Sequence, residues 1–98
     1  MSKDEIIAKL NAEAVRLRAR GILHVSLFGS YARGTHSGGS DVDLAIEVDP
    51  AAELSGYDIV GLECELAGLL GSKVDIIVRP VRRQSLNDEI EKDGVRAF

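Results

Sequence analysis

The stretch that decides the fold reads Phe28-Gly29-Ser30-Tyr31-Ala32-Arg33-Gly34, followed by Ser40-Asp41-Val42-Asp43-Leu44. It places a turn of small residues, an arginine and two carboxylates close together in the chain. Asp41 and Asp43 are two positions apart in a segment that alternates like a strand, so their side chains are expected on the same face. Adjacent carboxylates repel each other, and proteins usually keep such a pair where a cation lies between them. The stretch therefore predicts a site for a metal and a phosphate-bearing nucleotide.

Hydrophobic periodicity and turn residues predict the order of elements around this stretch. Helices are expected at 3–20, 55–70 and 85–93, and strands at 22–28, 41–48 and 73–78. A short helical turn at 31–33 is closed by Gly34, and 95–98 can add an edge strand. Ser55 and Ser85, each followed by an aspartate three residues on, are expected to begin their helices. The sequence thus predicts an α+β, two-layer fold with a short mixed sheet.

Each main strand has one apolar face that needs covering and one face with polar residues. In the second strand the polar face holds Asp41 and Asp43, and in the third it holds Asp75. If the two strands are neighbours, the three carboxylates converge on the face that the helices leave uncovered. Two magnesium ions, about 4 Å apart in two-metal sites, prefer such hard oxygen ligands together with substrate phosphates.

Composition limits the function classes that the chain can serve. Its 98 residues predict a single domain, 1–98. The net charge of −4 and the aromatic content of 4% argue against direct binding of nucleic acid. No apolar run reaches membrane-spanning length, and a cytoplasmic protein is predicted. Cys64, the only cysteine, is expected to be a small buried hydrophobe.

The two halves of the stretch resemble the signature of the polymerase-β-like nucleotidyltransferase superfamily, and in particular of its minimal nucleotidyltransferases. This resemblance covers nearly the whole chain. It implies helices packed on one face of a short mixed sheet and metal binding by Asp41, Asp43 and Asp75. It also implies that Gly29 and Ser30 hold the triphosphate of ATP. The signature residues Arg33 and Ser40 are assigned to the same nucleotide site.

The resemblance also implies a partner. Minimal nucleotidyltransferases are commonly paired with a helical HEPN ribonuclease toxin, to a tyrosine of which the antitoxin adds AMP. We therefore expect an adenylyltransferase that uses ATP and magnesium. Two alternatives stay open at this point: a non-catalytic subunit that masks the toxin by contact, and an enzyme that modifies a small hydroxylated molecule such as an antibiotic.

Several other residues have both a structural and a functional interpretation. His24 is expected to be structural, and His36 to be exposed in a loop that faces the site. A packing role is expected for Tyr31 and Tyr57. The arginines that follow the third strand fit either a solvated basic loop or a contact with substrate or partner; they are Arg79, Arg82 and Arg83. The arginines at the end of the first helix are expected to be solvated; they are Arg16, Arg18 and Arg20.

Overall fold

The structure is a computed structural model that describes residues 1–80 and 82–98. Its centre is a four-stranded sheet with the strand order β3-β2-β1-β4. The strands are β1 (Ile22–Phe28), β2 (Val42–Val48), β3 (Val74–Val78) and β4 (Val95–Arg96). The helices are α1 (Lys3–Ala12), α2 (Ala14–Ala19), α3 (Gly29–Arg33), α4 (Gly56–Leu70) and α5 (Gln84–Asp93).

The sheet is mixed, as the sequence predicts. Strand β1 pairs antiparallel with β2 and with β4, whereas β2 pairs in parallel with β3. A parallel pair needs a crossover connection, and α4 supplies it between β2 and β3. The parallel register places Asp43 opposite Asp75. The predicted convergence of carboxylates therefore depends on this one strand pairing.

The main hydrophobic core lies between one face of the sheet and helices α1, α2 and α4. Side chains such as Leu10, Leu44 and Leu66 are fully buried there. Helix α4 begins as predicted: the Ser55 hydroxyl accepts a hydrogen bond from the Asp58 backbone N–H, and the Asp58 carboxylate accepts one from the Ser55 N–H. This capping box satisfies backbone donors that a helix start leaves without partners.

The prediction that helices cover only one face of the sheet is wrong. Helix α5 packs on the face that carries Asp43, where Phe28, Ala45 and Ile90 form a second, smaller buried cluster. The physical reason lies in the strands themselves. Their polar face also presents apolar groups, and an amphipathic helix covers them because exposed apolar area is unfavourable in water. Part of the carboxylate face is consequently shielded from solvent.

Several predicted boundaries change: α3 already begins at Gly29, β3 begins at Val74, and β4 ends at Arg96. Three other changes concern the first helix, β2 and α5. The helix at 3–20 is interrupted at Glu13, whose backbone N–H bonds to Leu10 three residues back in a tighter turn. Strand β2 begins at Val42, so Asp41 lies just before it. Helix α5 begins at Gln84 after Arg83, without a side-chain cap, so Ser85 does not begin it. At Glu13 a local turn, which periodicity does not encode, interrupts the helix.

Two predictions about side chains on the helices are also corrected, one for Cys64 and one for the arginines at the end of the first predicted helix. Cys64 is exposed, because it lies on the side of α4 that faces away from the core. The arginine cluster is not simply solvated. Arg16 and Arg20 each place a nitrogen 2.6 Å from a Glu65 carboxylate oxygen, which ties α2 to α4. Across the described ranges, no helix has the length and apolar character that membrane crossing requires.

Candidate functional site

The turn after β1 brings the backbone against a carboxylate. Gly29 is buried and has a φ of +75°, in the left-handed region that glycine adopts without strain. A Cβ built at this position would overlap Asp43 Oδ2 and lie 3.1 Å from Asp43 Cγ. Two features therefore require glycine at this position: the left-handed backbone conformation, and the side chain of Asp43, which occupies the space where a Cβ would lie. The close approach seen here is to a carboxylate, and the approach to a phosphate that the sequence predicts for Gly29 stays a prediction.

Asp43 and Asp75 face each other across the parallel strands. Burial raises the pKa of Asp43, and the charges of Asp75 and Asp41 raise it further. Burial also raises the pKa of Asp75, with hydrogen bonding to the Asp41 side chain as the next cause. The structure thus brings the three predicted aspartates together. Their negative charge is compensated only in part by nearby cations.

Lys73 is one of these cations. Its Nζ lies 3.7 Å from Asp41 Oδ2, and its backbone carbonyl accepts a hydrogen bond of 2.8 Å from the Val42 N–H. The Lys73 side chain is 73% exposed, so this ion pair is open to solvent and weak. Asp41, just before β2, is therefore held by this weak ion pair and by the side-chain hydrogen bond that it shares with Asp75.

The donor set fits a magnesium ion in chemistry and charge. Among residues 1–80 and 82–98, no three acidic, histidine or cysteine side chains are arranged to enclose a metal by themselves. Magnesium does not require such an enclosure, since it usually takes one or two carboxylates together with substrate phosphates and water. A divalent cation would offset the mutual repulsion between the carboxylates of Asp43, Asp75 and Asp41.

The other predicted nucleotide-binding residues flank the aspartates. Ser30 is half-buried in α3, and its carbonyl accepts a hydrogen bond of 2.9 Å from the Thr35 N–H. Ser40 Oγ accepts a hydrogen bond of 2.9 Å from the Ser37 N–H, which closes the loop that leads to Asp41. Ser40 thus shapes this loop in the present structure.

Arg33 is paired with helix α5. Its Nη1 lies 3.1 Å from Glu89 Oε1 and 3.4 Å from Asp93 Oδ2. The charge of Arg33 lowers the pKa of Asp43, while that of Glu89 raises it, so both groups lie within electrostatic reach of the site. Arg33, which the sequence predicts to bind phosphate oxygens, therefore lies beside the carboxylates. Its guanidinium is paired with two acidic residues of α5.

The remaining candidates are divided between packing and exposure. Tyr31 is buried, as predicted, and stacks on His36 with ring centroids 4.1 Å apart. His36 is consequently half-buried and not exposed. The packing role predicted for Tyr57 is wrong: this side chain is 92% exposed on α4. Arg79 pairs with Glu91 at 2.9 Å, whereas Arg82 and Arg83 are exposed. His24 is half-buried on β1.

Two cavities lie close to these residues. A cavity of about 470 Å³ is bounded by Tyr31, His36 and the turn after α4, and none of the three aspartates lines it. A smaller groove of about 210 Å³ runs between α4 and β3, and Asp75 lines it. Of the three aspartates, only Asp75 lines this groove, and none lines the larger cavity.

Sequence reasoning missed four charged residues around the site. Lys73 directly precedes the strand that holds Asp75, and the parallel pairing brings it to Asp41. Glu89 and Asp93 are spaced by four on α5, a helical spacing that could have indicated a shared partner. Glu63 Oε2 accepts a hydrogen bond of 2.8 Å from the Ile76 N–H at the edge of the sheet. No local pattern indicates this last contact.

Comparison with known proteins agrees with this geometry. The model of the nucleotidyltransferase domain family matches residues 7–97. Protein adenylyltransferase MntA of Thermococcus cleftensis is 33% identical over 97 residues, which is 98% of this chain and 92% of that protein.

Solved structures give the same result. A toxin–antitoxin complex with AMP-PNP contains a chain of 26% identity with a TM-score of 0.73; the match covers 90% of this chain and 72% of that one. A complex of the tri-AMPylated HEPN toxin of Shewanella oneidensis with its MNT antitoxin is similar in fold, at 24% identity and a TM-score of 0.65, over 93% of this chain and 71% of that one. The predicted α+β fold is confirmed, and the chain belongs to the nucleotidyltransferase domain family.

Proposed function

We propose that this chain transfers AMP from ATP to a hydroxyl group of a partner protein, a tyrosine of a HEPN ribonuclease toxin, and so acts as an antitoxin. The observation on which this proposal mainly rests is the pairing of Asp43 with Asp75 beside the Gly29 backbone. A pair of half-buried carboxylates next to a close backbone approach suits a nucleoside triphosphate with its metal ions. The relative named protein adenylyltransferase MntA and the toxin–antitoxin structure with AMP-PNP support the same activity.

Each site residue takes a role that its position allows. Asp41, Asp43 and Asp75 would hold two magnesium ions, which when bound supply charge neutralisation at the phosphates. Gly29 lets the backbone approach the triphosphate, and the Ser30 and Ser40 hydroxyls are donors at the same end of the sheet. Arg33 presents a forked cation for phosphate oxygens. Asp75 accepts the proton of the attacking hydroxyl.

The test uses ATP labelled at the α-phosphate, magnesium and a HEPN protein from the same genome. The wild-type chain is expected to label the HEPN protein, and the double variant Asp41→Asn/Asp43→Asn to lose labelling by 100-fold or more, on the order of a major catalytic contribution. Glu47→Gln is the matched control. It removes a carboxylate from β2 four residues beyond Asp43, about 13 Å along the strand, and should leave labelling unchanged.

The same experiment separates the alternatives. Absence of label on the HEPN protein contradicts the proposal. If the double aspartate variant still suppresses the ribonuclease activity of the toxin fully, the chain acts by contact alone. Loss of labelling in Glu47→Gln to the same degree as in the aspartate variant would assign the effect to the sheet as a whole and not to the paired carboxylates.

A further inference from the structure

Helix α5 holds the side chain of Arg33 from one end of its guanidinium. Arg33 Nη1 lies 3.1 Å from Glu89 Oε1 and 3.4 Å from Asp93 Oδ2. We infer that Glu89 and Asp93 are positioning residues, which fix the Arg33 guanidinium in the orientation that binds the triphosphate. The inference rests on the proposed function, in which Arg33 contacts phosphate oxygens, and adds the two residues of α5 that act through Arg33.

Arg33 lies on the side of α3 that also carries Ser30. The two residues are three positions apart on this helix, a spacing that places their side chains on the same side. Tyr31, between them, is buried in the main core instead. Because the Arg33 side chain is 42% exposed, a phosphate group near Ser30 can reach it.

The two acids belong to the side of α5 that packs on the sheet. Leu86 and Ile90 pack in the second buried cluster, and Glu89 and Asp93 follow them by three residues each. Residues at three- and four-residue steps share one side of a helix. The packing of the two apolar side chains therefore fixes where the two carboxylates lie.

The C-terminal end of α5 is also tied to β1. Asp93 is the last residue of α5, and Val95, two residues further on, pairs with Leu27. The Gly94 N–H donates a hydrogen bond of 2.8 Å to the Ile90 carbonyl and so closes the helix end. Since β1 leads directly into α3, the carboxylate of Asp93 and the helix that carries the arginine are attached to the same strand. Functional side chains are held most precisely when rigid elements carry them.

The contacts leave most of the guanidinium available to a ligand. A guanidinium has five N–H donors, and both ion pairs of Arg33 with α5 use Nη1. Nη2 and Nε can therefore donate to phosphate oxygens while Nη1 stays bound to α5. A side chain that is fixed beforehand loses less conformational freedom when the nucleotide binds. The negative charge of the two acids acts in the opposite direction, and a control of equal charge is needed to separate the two effects.

These ion pairs contribute little to the stability of the fold. The Arg33 and Glu89 side chains are 42% and 40% exposed, and ion pairs between exposed groups are weak. The buried contacts of Ile90 hold α5 on the sheet without them. Loss of the two carboxylates should therefore change nucleotide binding without detaching α5.

The test measures binding of a fluorescent, non-hydrolysable ATP analogue in the presence of magnesium. Glu89→Gln/Asp93→Asn should raise the Kd of the analogue by about threefold to tenfold, since ordering one long side chain on binding costs on that order. The Tm of this variant should change by about 4 °C or less, because exposed ion pairs add little stability.

The matched control is Asp88→Asn/Glu91→Gln, which removes the same charge from the same helix. Glu91 pairs with Arg79, and Asp88 accepts a hydrogen bond from the Gln84 side chain, so neither contacts Arg33. The Kd of the analogue for this control should stay within about twofold of the wild-type value.

A double-mutant cycle shows whether the acids act through the arginine. Arg33→Gln should itself raise the Kd of the analogue by about tenfold or more, as expected for the loss of a charged hydrogen bond. In this background Glu89→Gln/Asp93→Asn should not weaken binding further, because the guanidinium that the acids position is absent.

Several results would overturn the inference. A lower Kd in Glu89→Gln/Asp93→Asn would mean that the acids withhold Arg33 from the nucleotide. An unchanged Kd in this variant or in Arg33→Gln, an equal loss in the matched control, additive losses in the cycle, or a much larger fall in Tm would each contradict a positioning role. If the cycle shows coupling but the chain transfers no AMP to the HEPN protein, the proposed function fails and the positioning role stands.

Discussion

Replacing Gly29 tests whether the backbone geometry of the turn after β1 positions the Asp43 carboxylate. Gly29→Ala forces alanine into a φ of +75°, and its Cβ overlaps Asp43 Oδ2. The left-handed conformation costs about 1–2 kcal/mol for a residue with a Cβ. Turning Asp43 away from its rotamer adds about 0.5–1.5 kcal/mol. The expected loss of unfolding free energy is therefore about 1.5–3.5 kcal/mol from these two terms.

Gly34→Ala is the matched control for this change. Gly34 has the same φ of +75°, but a Cβ there meets no atom within 4 Å. Only the backbone cost of about 1–2 kcal/mol applies. For a domain of this size each kcal/mol corresponds to about 4–8 °C in Tm. Thermal unfolding followed by circular dichroism should place both variants below the wild type, with Gly29→Ala the less stable.

The two variants should differ far more in activity than in stability. A displacement of about 1 Å at a reacting centre can reduce the rate about 100-fold, and the overlap at Gly29 falls directly on Asp43. AMP transfer, measured well below both Tm values, should drop to that extent in Gly29→Ala. In Gly34→Ala it should stay within about threefold of the wild type, which corresponds to a change of less than about 1 kcal/mol in the activation free energy of transfer. Equal activity in the two variants would refute the argument that Gly29 makes room for Asp43.

Three further predictions concern stability. Burial and the neighbouring carboxylates raise the pKa of Asp43, so its ionised form opposes folding. In the absence of metal, Asp43→Asn should therefore have a higher Tm than the wild type at neutral pH, although it loses AMP transfer. A lower Tm would contradict this. Ser55→Ala removes the cap of α4 and should cost about 0.5–2 kcal/mol in urea unfolding, whereas no change would mean that the capping box is not stabilising. Arg20 and Arg16 hold the pKa of Glu65 below its usual range, so the stability it contributes is present above its unfolded pKa and is lost as the pH falls through the lower folded value. Glu65→Gln should therefore flatten the acid side of the stability profile, and an unaltered profile would show that this ion pair has no effect.

Local sequence patterns were sufficient for most elements. Alternation placed Val42 and Leu44 on one face of β2 and Asp43 on the other, because successive side chains in a strand point in opposite directions. The serine and aspartate before α4 identified its first turn, since a capping box uses only neighbouring residues. The same logic failed at Glu13, where a single tighter turn interrupts a continuous apolar stripe.

Side chains that act on distant elements were less predictable. Leu86 and Ile90 gave α5 an apolar stripe, but the stripe did not say which face of the sheet it would cover. The exposure of Cys64 and Tyr57 likewise depends on what covers α4, and not on residue type. Burial of such residues is decided by contacts between elements far apart in the chain.

The sequence by itself determined that the glycine turn, Asp41 and Asp43 lie at one end of a strand, because chain geometry fixes which side chains share a face over a few residues. Only the tertiary structure decided that Asp75 faces Asp43, since this depends on the parallel pairing of β2 with β3 across a helical crossover. It also decided that Glu89 holds Arg33 and that a groove borders Asp75 at the sheet edge. These contacts join residues far apart in the chain, and they form only when the packing of the whole domain fixes the positions of the helices.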